Sequence, residues 1–303
     1  MSSHHHHPAV SEKRLGFSIL LNLTITIAEF IGGLFSNSLA LISDAVHNLS
    51  DTFSLILAFI AQRIGKKDYT PRQTFGYKRA EILSAFINAV ILIVISIFLF
   101  YEAVLRFNHP EPVNSHVMFW VALIGLAANL ISVVILQRDA SGNLNIRSAY
   151  MHLIGDTLSS VVVILGALAI RFFGILWLDP VLTILIGIFI LKETYRILAQ
   201  ATGILMESSP GDIDIEALRK ELEKNPGIAN IHHIHIWRIS DHETHFQCHA
   251  DLSDDLLISQ SDRIRMDMEK IIIAHFPIHH VTIQMEFDTC KDKGTIAGKH
   301  EHF

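Results

Sequence analysis

Two His–Asp pairs with the same spacing are the residues of this sequence best suited to chemistry. His47 and Asp51 stand four positions apart in one apolar run, and His152 and Asp156 repeat that spacing at the start of another. On a helix, residues four apart share one face, with β-carbons about 5–6 Å from each other. Each pair is therefore spaced to chelate one ion.

The apolar surroundings of these pairs explain why a cation is expected. A carboxylate in the middle of a membrane costs on the order of 3 kcal/mol on insertion scales, so Asp44, Asp51 and Asp156 need compensation. A divalent ion held between the two helices would provide it. Two imidazoles and two carboxylates form a four-coordinate set that suits tetrahedral zinc better than magnesium or manganese. The alternative is that each pair is a buried hydrogen bond that tunes helix packing.

The elements that carry these pairs are long apolar runs. Half of the 303 residues are hydrophobic, which predicts a membrane protein with a soluble part. Six runs reach the length of about 20 residues that a bilayer requires. Basic residues in alternate loops outweigh Arg106 and Arg171 in the others, so the positive-inside rule places both termini in the cytoplasm. The predicted spans are Leu15–Phe35, Leu39–Ile64, Ala80–Leu105, His116–Leu136, Ile146–Phe173 and Pro180–Thr202.

The composition changes sharply near Ser208–Gly211, where the apolar runs give way to a polar, acidic and His-rich segment. The predicted organisation is a His-containing tail over 1–14, a six-helix transmembrane domain over 15–209 and a cytoplasmic domain over 210–303. The histidines at 4–7 are either a natural metal-collecting tail or the remnant of a purification tag. Two cysteines, Cys248 and Cys290, cannot form a disulfide framework and fit a reducing compartment.

The cytoplasmic segment has the periodicity of a small α+β domain in the order αββαβ, with a three-stranded sheet and two helices. Its predicted elements are helix Asp212–Lys224, strands Ile228–Ile239 and Thr244–Leu252, helix Leu256–His275 and strand His280–Phe287.

Strand alternation assigns side chains to the two faces of this sheet. It predicts that Phe246, Cys248, Ala250 and Leu252 face the core, as do Val281, Ile283, Met285 and Phe287. The outer face then carries His245, Gln247, His249 and Asp251, with His280, Thr282, Gln284 and Glu286 on the last strand. Alternation also places His233 and His235 outside. This outer face is either a solvated surface or, given its many histidines, a metal site.

Several motifs together resemble the cation diffusion facilitator family, in its zinc-transporting branch. They are the run SNSLALISDAVHNLSD, the loop TFGYKRAE, the second HLIGD and the segment IHHIHIW. The resemblance extends from Leu15 to about Cys290, and the repeated HxxxD is its most specific part. It implies a homodimeric metal/proton antiporter with six spans and a metallochaperone-like cytoplasmic domain, and no enzyme.

The resemblance also implies functional residues. The transport site maps onto His47, Asp51, His152 and Asp156, and histidine at both first positions favours zinc. A cytoplasmic metal site maps onto His232, His249 and Glu286. A dimer-locking ion pair maps onto Arg79 and Glu207. The loop after the second span offers Asp68 and Tyr77 but no histidine, so the further metal site that some relatives have there is expected to be absent.

These residues predict a zinc efflux transporter of a bacterial inner membrane, working by alternating access. Binding zinc requires deprotonated ligands, so zinc and protons displace each other. The alternatives are a carrier for cadmium, cobalt, iron or manganese, and a membrane-bound zinc sensor that binds zinc without moving it. A membrane metalloenzyme would need an open coordination position, and the sequence has neither HExxH nor GxSxG at a span. Membrane lipid and protons are the expected partners, and nucleic acid is not.

Overall fold

The structure is a computed structural model that describes residues 12–65, 70–137, 144–241, 243–289 and 294–295. The chain forms two compact units. One contains the residues up to 59 together with 87–198, and the other contains 60–86 together with 199–303. The His4–His7 run, Asp68, His242 and Cys290 lie outside the described residues, as do the side chains of Arg14 and His152.

Six long helices correspond to the six predicted spans, and the helical transmembrane architecture is confirmed. Within the described part of the chain, three stretches are long and apolar enough by themselves to cross a membrane: Arg79–Asn108, Ser115–Val134 and Leu153–Phe173. The helices are α1 (Glu12–Ser36), α2 (Leu39–Gly65), α3 (Arg79–Asn108), α4 (Ser115–Gln137), α5 (Leu144–Phe173) and α6 (Leu178–Leu205).

The contacts between the helices combine small and large residues. Ala40, Ala103 and Ala167 are fully buried, as are Leu41 and Met118, and many other large residues are exposed. Lipid tails are as apolar as leucine, so large side chains can face the bilayer, and small ones let helices approach closely.

The start of α2 is fixed by a carboxylate from α6. Asp179 accepts hydrogen bonds from the hydroxyl of Ser38 at 2.5 Å and from the backbone nitrogens of Leu39 at 2.8 Å and Ala40 at 3.3 Å. The first N–H groups of a helix have no partner within the helix, so this carboxylate caps α2 and complements its dipole. The cap sets the height and rotation of the helix that carries His47.

The cytoplasmic domain has the predicted order of elements and sheet. Its order is α7 (Ile215–Leu222), β1 (Ile228–Ser240), β2 (Glu243–Leu252), α8 (Ile258–His275) and β3 (His280–Glu286). Strand β2 lies between an antiparallel β1 and a parallel β3. Helix α8 supplies the crossover that a parallel pair requires.

The core of this domain lies between the sheet and its two helices. Leu218, Phe246 and Met268 are fully buried at its centre. Cys248 belongs to the same cluster, as strand alternation predicted, and burial raises the pKa of its thiol to about 12. Cys248 is therefore a small apolar residue of the core rather than a thiolate ligand.

The opposite face of the sheet is partly covered. His245 and Asp251 on β2 are buried, whereas His280, Thr282 and Gln284 on β3 are exposed. On β1, His233 is buried and His235 is exposed. Phe287 was expected in the core but is 45% exposed, because β3 ends at Glu286 and the chain turns at Asp288, where φ is +46°.

Candidate metal centres

The first candidate centre joins the two His–Asp motifs in the transmembrane helices. His47 Nε2 lies 3.6 Å from Asp51 Oδ2 on the same helix and 3.6 Å from Asp156 Oδ1 on α5. One ligand atom from each of the three side chains lies within 4.8 Å of the others. His47 and Asp156 are buried, and Asp51 is half-buried.

The fourth predicted ligand, His152, lies one helical turn before Asp156 on α5. Its side chain is outside the described residues, so the structure gives no position for its ring. A His and an Asp four positions apart on a helix share a face, which is how His47 and Asp51 meet. The spacing prediction for His152 stays a prediction.

Polar contacts from three helices hold this centre in place. The hydroxyl of Ser159 on α5 donates to Asp44, one turn before His47. Asn88 of α3 donates to the hydroxyls of Ser50 at 2.9 Å and Ser54 at 2.7 Å. Outer hydrogen bonds of this kind orient metal-binding helices and tune the ligands they carry.

The second candidate centre lies on the face of the cytoplasmic sheet that is opposite its core. His232 Nε2 is 2.9 Å from Glu286 Oε1, and His249 Nδ1 is 3.2 Å from Glu286 Oε2. His232 is fully buried, and the Glu286 side chain is 6% exposed. The facing atoms lack hydrogen-bond geometry. Buried nitrogen and oxygen atoms that converge without hydrogen bonding fit a site for a cation.

Burial also favours the state of His232 that binds metal. Removal from water lowers the pKa of His232, and the nearby His249 lowers it further, while the carboxylate of Glu286 opposes both effects. The imidazole is therefore neutral at cytoplasmic pH, which is the form that ligates metal.

A third histidine, His233, joins this centre and was missed by the sequence analysis. The β1–β2 register shifts between His232 and His235, and His233 has a φ of +50°. The bulge brings the adjacent His232 and His233 to one side of the sheet, with the His233 ring centroid 5.0 Å from that of His232 and 4.9 Å from that of His249. The three rings form the second group whose ligand atoms lie within 4.8 Å.

The backbone at this bulge pairs with a distant segment. The amide of His233 donates to the carbonyl of Gly294, and that of Ile234 donates to the carbonyl of Thr295. Nothing in local sequence signals this pairing. Two adjacent histidines in an alternating strand were the available signal, and a bulge is the usual way to turn both to one face.

The predicted Arg79–Glu207 pair forms within one protomer. Arg79 Nη2 donates to Glu207 Oε1 at 2.7 Å, linking the start of α3 to the residues after α6. Glu207 has a φ of +57°, and both side chains are exposed. The neighbouring Lys78 also pairs, with Glu243 at the start of β2.

Two family models match consecutive parts of this sequence. The cation efflux transmembrane domain matches residues 15–206, and the cytoplasmic domain of cation efflux proteins, a dimerisation domain, matches residues 210–288.

Curated relatives match nearly the whole chain. The Bacillus subtilis "Cadmium, cobalt and zinc/H(+)-K(+) antiporter" is 43% identical over 285 residues, 93% of this chain and 91% of the relative. The Cupriavidus metallidurans "Metal cation efflux system protein CzcD" is 37% identical, covering 99% and 93%. The Escherichia coli "Zinc transporter ZitB" is 35% identical, covering 96% and 94%.

Proposed function

Because this chain belongs to the cation efflux, or cation diffusion facilitator, family of multi-pass membrane transporters, we propose that it exports zinc from the cytoplasm in exchange for protons. The observation that carries the proposal is the convergence of His47, Asp51 and Asp156 from α2 and α5 within the membrane-spanning unit. Those residues come from the repeated motif that predicted a shared site.

Ligand chemistry supports zinc as the cargo. Imidazole nitrogen combined with carboxylate oxygen is a typical zinc set, and a calcium or magnesium site would present oxygen alone. His152 is the proposed fourth ligand, which would complete a tetrahedron. The names of the relatives include zinc in the Bacillus and Escherichia proteins, with cadmium and cobalt in the former. Cadmium and cobalt are therefore the proposed secondary cargoes.

The coupling to protons follows from the same ligands. Zinc binds deprotonated carboxylates and neutral imidazoles, so loading from the cytoplasm releases protons, and protons from the far side expel the ion. Four protein ligands close the coordination shell, which suits carriage rather than hydrolysis. We propose that the helices alternate between a state that loads zinc from the cytoplasm and one that releases it outside.

The cytoplasmic centre is proposed to hold a regulatory zinc. His232, His249 and Glu286 are its ligands, with His233 as a fourth. The match to the family's cytoplasmic dimerisation domain implies a homodimer. Zinc bound in this domain would draw the two protomers together, and Arg79 with Glu207 would contribute to their contact.

Transport by reconstituted protein tests this proposal. His152→Ala and Asp51→Ala should each abolish zinc uptake into inside-out proteoliposomes, because each removes a ligand whose loss leaves the others unable to hold the ion. His116→Ala, which changes a histidine at the outer end of α4, should transport as the unaltered protein does. All variants should elute as folded dimers. Zinc uptake retained by either ligand variant would refute the transport site.

A metal comparison distinguishes the carrier from its alternatives. The unaltered protein is supplied in turn with zinc, cadmium, cobalt, manganese and iron, and internal pH is followed with a trapped dye. A zinc carrier changes the internal pH on zinc addition and does so less with manganese. A zinc sensor would bind the metal with no change of internal pH, and this result would overturn antiport.

A further inference from the structure

A buried carboxyl stands beside the transmembrane centre without belonging to it. Glu29 lies on α1 and is 1% exposed. Its Oε2 accepts a hydrogen bond at 2.9 Å from the amide of Asn48, the residue that follows His47 on α2. Its Oε1 is buried and makes no hydrogen bond to any residue that the structure describes. Leaving a buried acceptor unsatisfied costs roughly 1–3 kcal/mol, so a proton or a hydrogen-bond donor at this oxygen would stabilise the folded protein.

Helix α4 leaves space for the Glu29 carboxyl, and a second buried acceptor belongs to the residue that donates to it. Gly125 of α4 lies against it, and a β-carbon at Gly125 would stand 2.1 Å from Oε1, so only glycine leaves the oxygen this room. Asn48 is also 1% exposed, and its Oδ1 is a second buried acceptor without a hydrogen bond in the described part of the chain. A proton on Glu29 would supply the donor that these acceptors lack.

The neighbouring helices α2 and α5 bring further acids to this region. Asp44 accepts a hydrogen bond from Ser159, and Asp156 lies 3.6 Å from His47. Helix α4 contributes no Asp, Glu, Lys or Arg, and its one histidine, His116, is at its outer end. His47 lies one residue before Asn48. An ionised carboxylate in such a setting is expensive, whereas a divalent ion bound to Asp156 would add positive charge nearby and stabilise the anion.

We propose that Glu29 is a proton-binding site that releases its proton when a divalent cation occupies the transmembrane centre and regains it when the cation leaves. The step converts the Glu29 carboxylic acid to a carboxylate and one free proton, with no change of oxidation state. Glu29 is proposed to act on the cation through charge. The inference rests on the proposed antiport and adds one proton per cation to it.

Calorimetry of zinc binding to the full-length protein measures this proton. Titration in buffers of different ionisation enthalpy gives the number of protons released per zinc. Glu29→Gln keeps the size of the side chain and an acceptor for Asn48, and it should release one proton fewer per protein at saturation. Protons released at the cytoplasmic centre are common to both proteins and cancel in the difference. Glu111→Gln, at an exposed acid between α3 and α4, should release the same number as the unaltered protein.

The two proposals fail in different ways. An unchanged proton count in Glu29→Gln, with zinc still bound, overturns the role of Glu29 and leaves the antiport intact. An unaltered protein that releases no proton on binding zinc overturns the antiport itself. A proton count that falls equally in Glu111→Gln also overturns the role of Glu29, because the loss would then not be specific to that acid.

A labelling measurement on the unaltered protein keeps the inference testable if Glu29→Gln does not fold. Hydrophobic carbodiimides react with protonated carboxyls in apolar surroundings. Peptide mass spectrometry should find Glu29 modified in zinc-free protein and protected in zinc-saturated protein, while labelling of exposed Glu111 stays the same. Equal labelling of Glu29 in both conditions would overturn the proposal.

Discussion

The two candidate metal centres use the same residue types on different scaffolds. The transmembrane centre takes His47, Asp51 and Asp156 from two helices, and the Asp51 side chain remains 30% exposed. The cytoplasmic centre takes His232, His233 and His249 from two antiparallel strands, beside an almost fully covered Glu286. The transmembrane centre therefore has more carboxylate, and the cytoplasmic centre has more imidazole.

This difference matches two roles. A transport site must load and release its ion in each cycle, which favours a partly open site whose carboxylates can take up protons. A regulatory site must keep its ion over many cycles, and a group of imidazoles around the fully buried His232 suits that task. Changes in the two centres should therefore have separate effects, on turnover in one case and on metal retention in the other.

Asp156→Asn is expected to separate the effects on the two centres most clearly. The amide cannot replace the carboxylate as an anionic ligand, so zinc transport should fall by more than about 100-fold. Residues that bind the metal directly matter more than the outer contacts, whose loss costs about 10–100-fold. Equilibrium dialysis of the full chain should find one zinc fewer per protomer, with the cytoplasmic zinc retained. If the variant loses both zinc ions, the two centres are coupled and the comparison fails.

A smaller effect is expected within the cytoplasmic centre. His233→Ala should weaken zinc binding there by roughly 10-fold, because it removes a ring on the edge of the group, and it should leave a folded protein that still transports. The matched control is His235→Ala, two positions along the same strand but exposed. A competition titration with a chelating dye measures both. Equal affinities in the two variants would exclude His233 from the site.

The two centres also differ in how much of them the sequence could predict. Helical geometry repeats every turn, so HxxxD predicts a shared face from spacing alone, and α2 and α5 bring three of the four residues together. Strand alternation fails at a single bulge, which brings His232 to the same side as His233 and where the amide of His233 pairs with the carbonyl of Gly294. The order αββαβ was predictable because hydrophobic periodicity determines it, whereas the bulge depends on a tertiary contact.

Two carboxylates that cap helices, Asp179 and Asp214, extend the comparison between the two regions. Asp179→Asn should lower the unfolding free energy of the helical unit by about 1–2 kcal/mol and slow zinc transport, because α2 loses the charged cap that positions His47. The matched change is Asp214→Asn at the start of α7, where the exposed side chain caps its own helix. That variant should lose less stability and transport at the normal rate. Thermal unfolding in detergent and proteoliposome uptake measure the two effects. Slower transport by Asp214→Asn would show that capping does not act through the position of α2.

The smallest expected effect is a pH dependence of the cytoplasmic unit that does not involve the metal ligands. Burial lowers the pKa of His245, the carboxylate of Glu243 opposes this, and the nearby His280 lowers it further. The unfolded chain then binds a proton at a higher pH than the folded domain does. The stability from the neutral ring is present above the ordinary histidine pKa of about 6.5 and is lost as pH falls below it.

His245→Phe removes this titration while keeping an aromatic ring between Phe75 and Trp237, whose centroids lie 5.6 and 5.4 Å from the His245 ring. Zinc-free unaltered protein should therefore lose more stability than His245→Phe when the pH is lowered from about 7.5 to 5.5, a window that spans the ordinary histidine pKa. Urea unfolding followed by tryptophan fluorescence gives the dependence of the unfolding free energy on pH for both proteins. The matched variant is His235→Phe, at an exposed histidine, which should retain the full pH dependence. If the unfolding free energy depends on pH equally in the unaltered protein and in His245→Phe, the acid sensitivity would be assigned to the buried His232. The pH response of this domain would then belong to its metal centre.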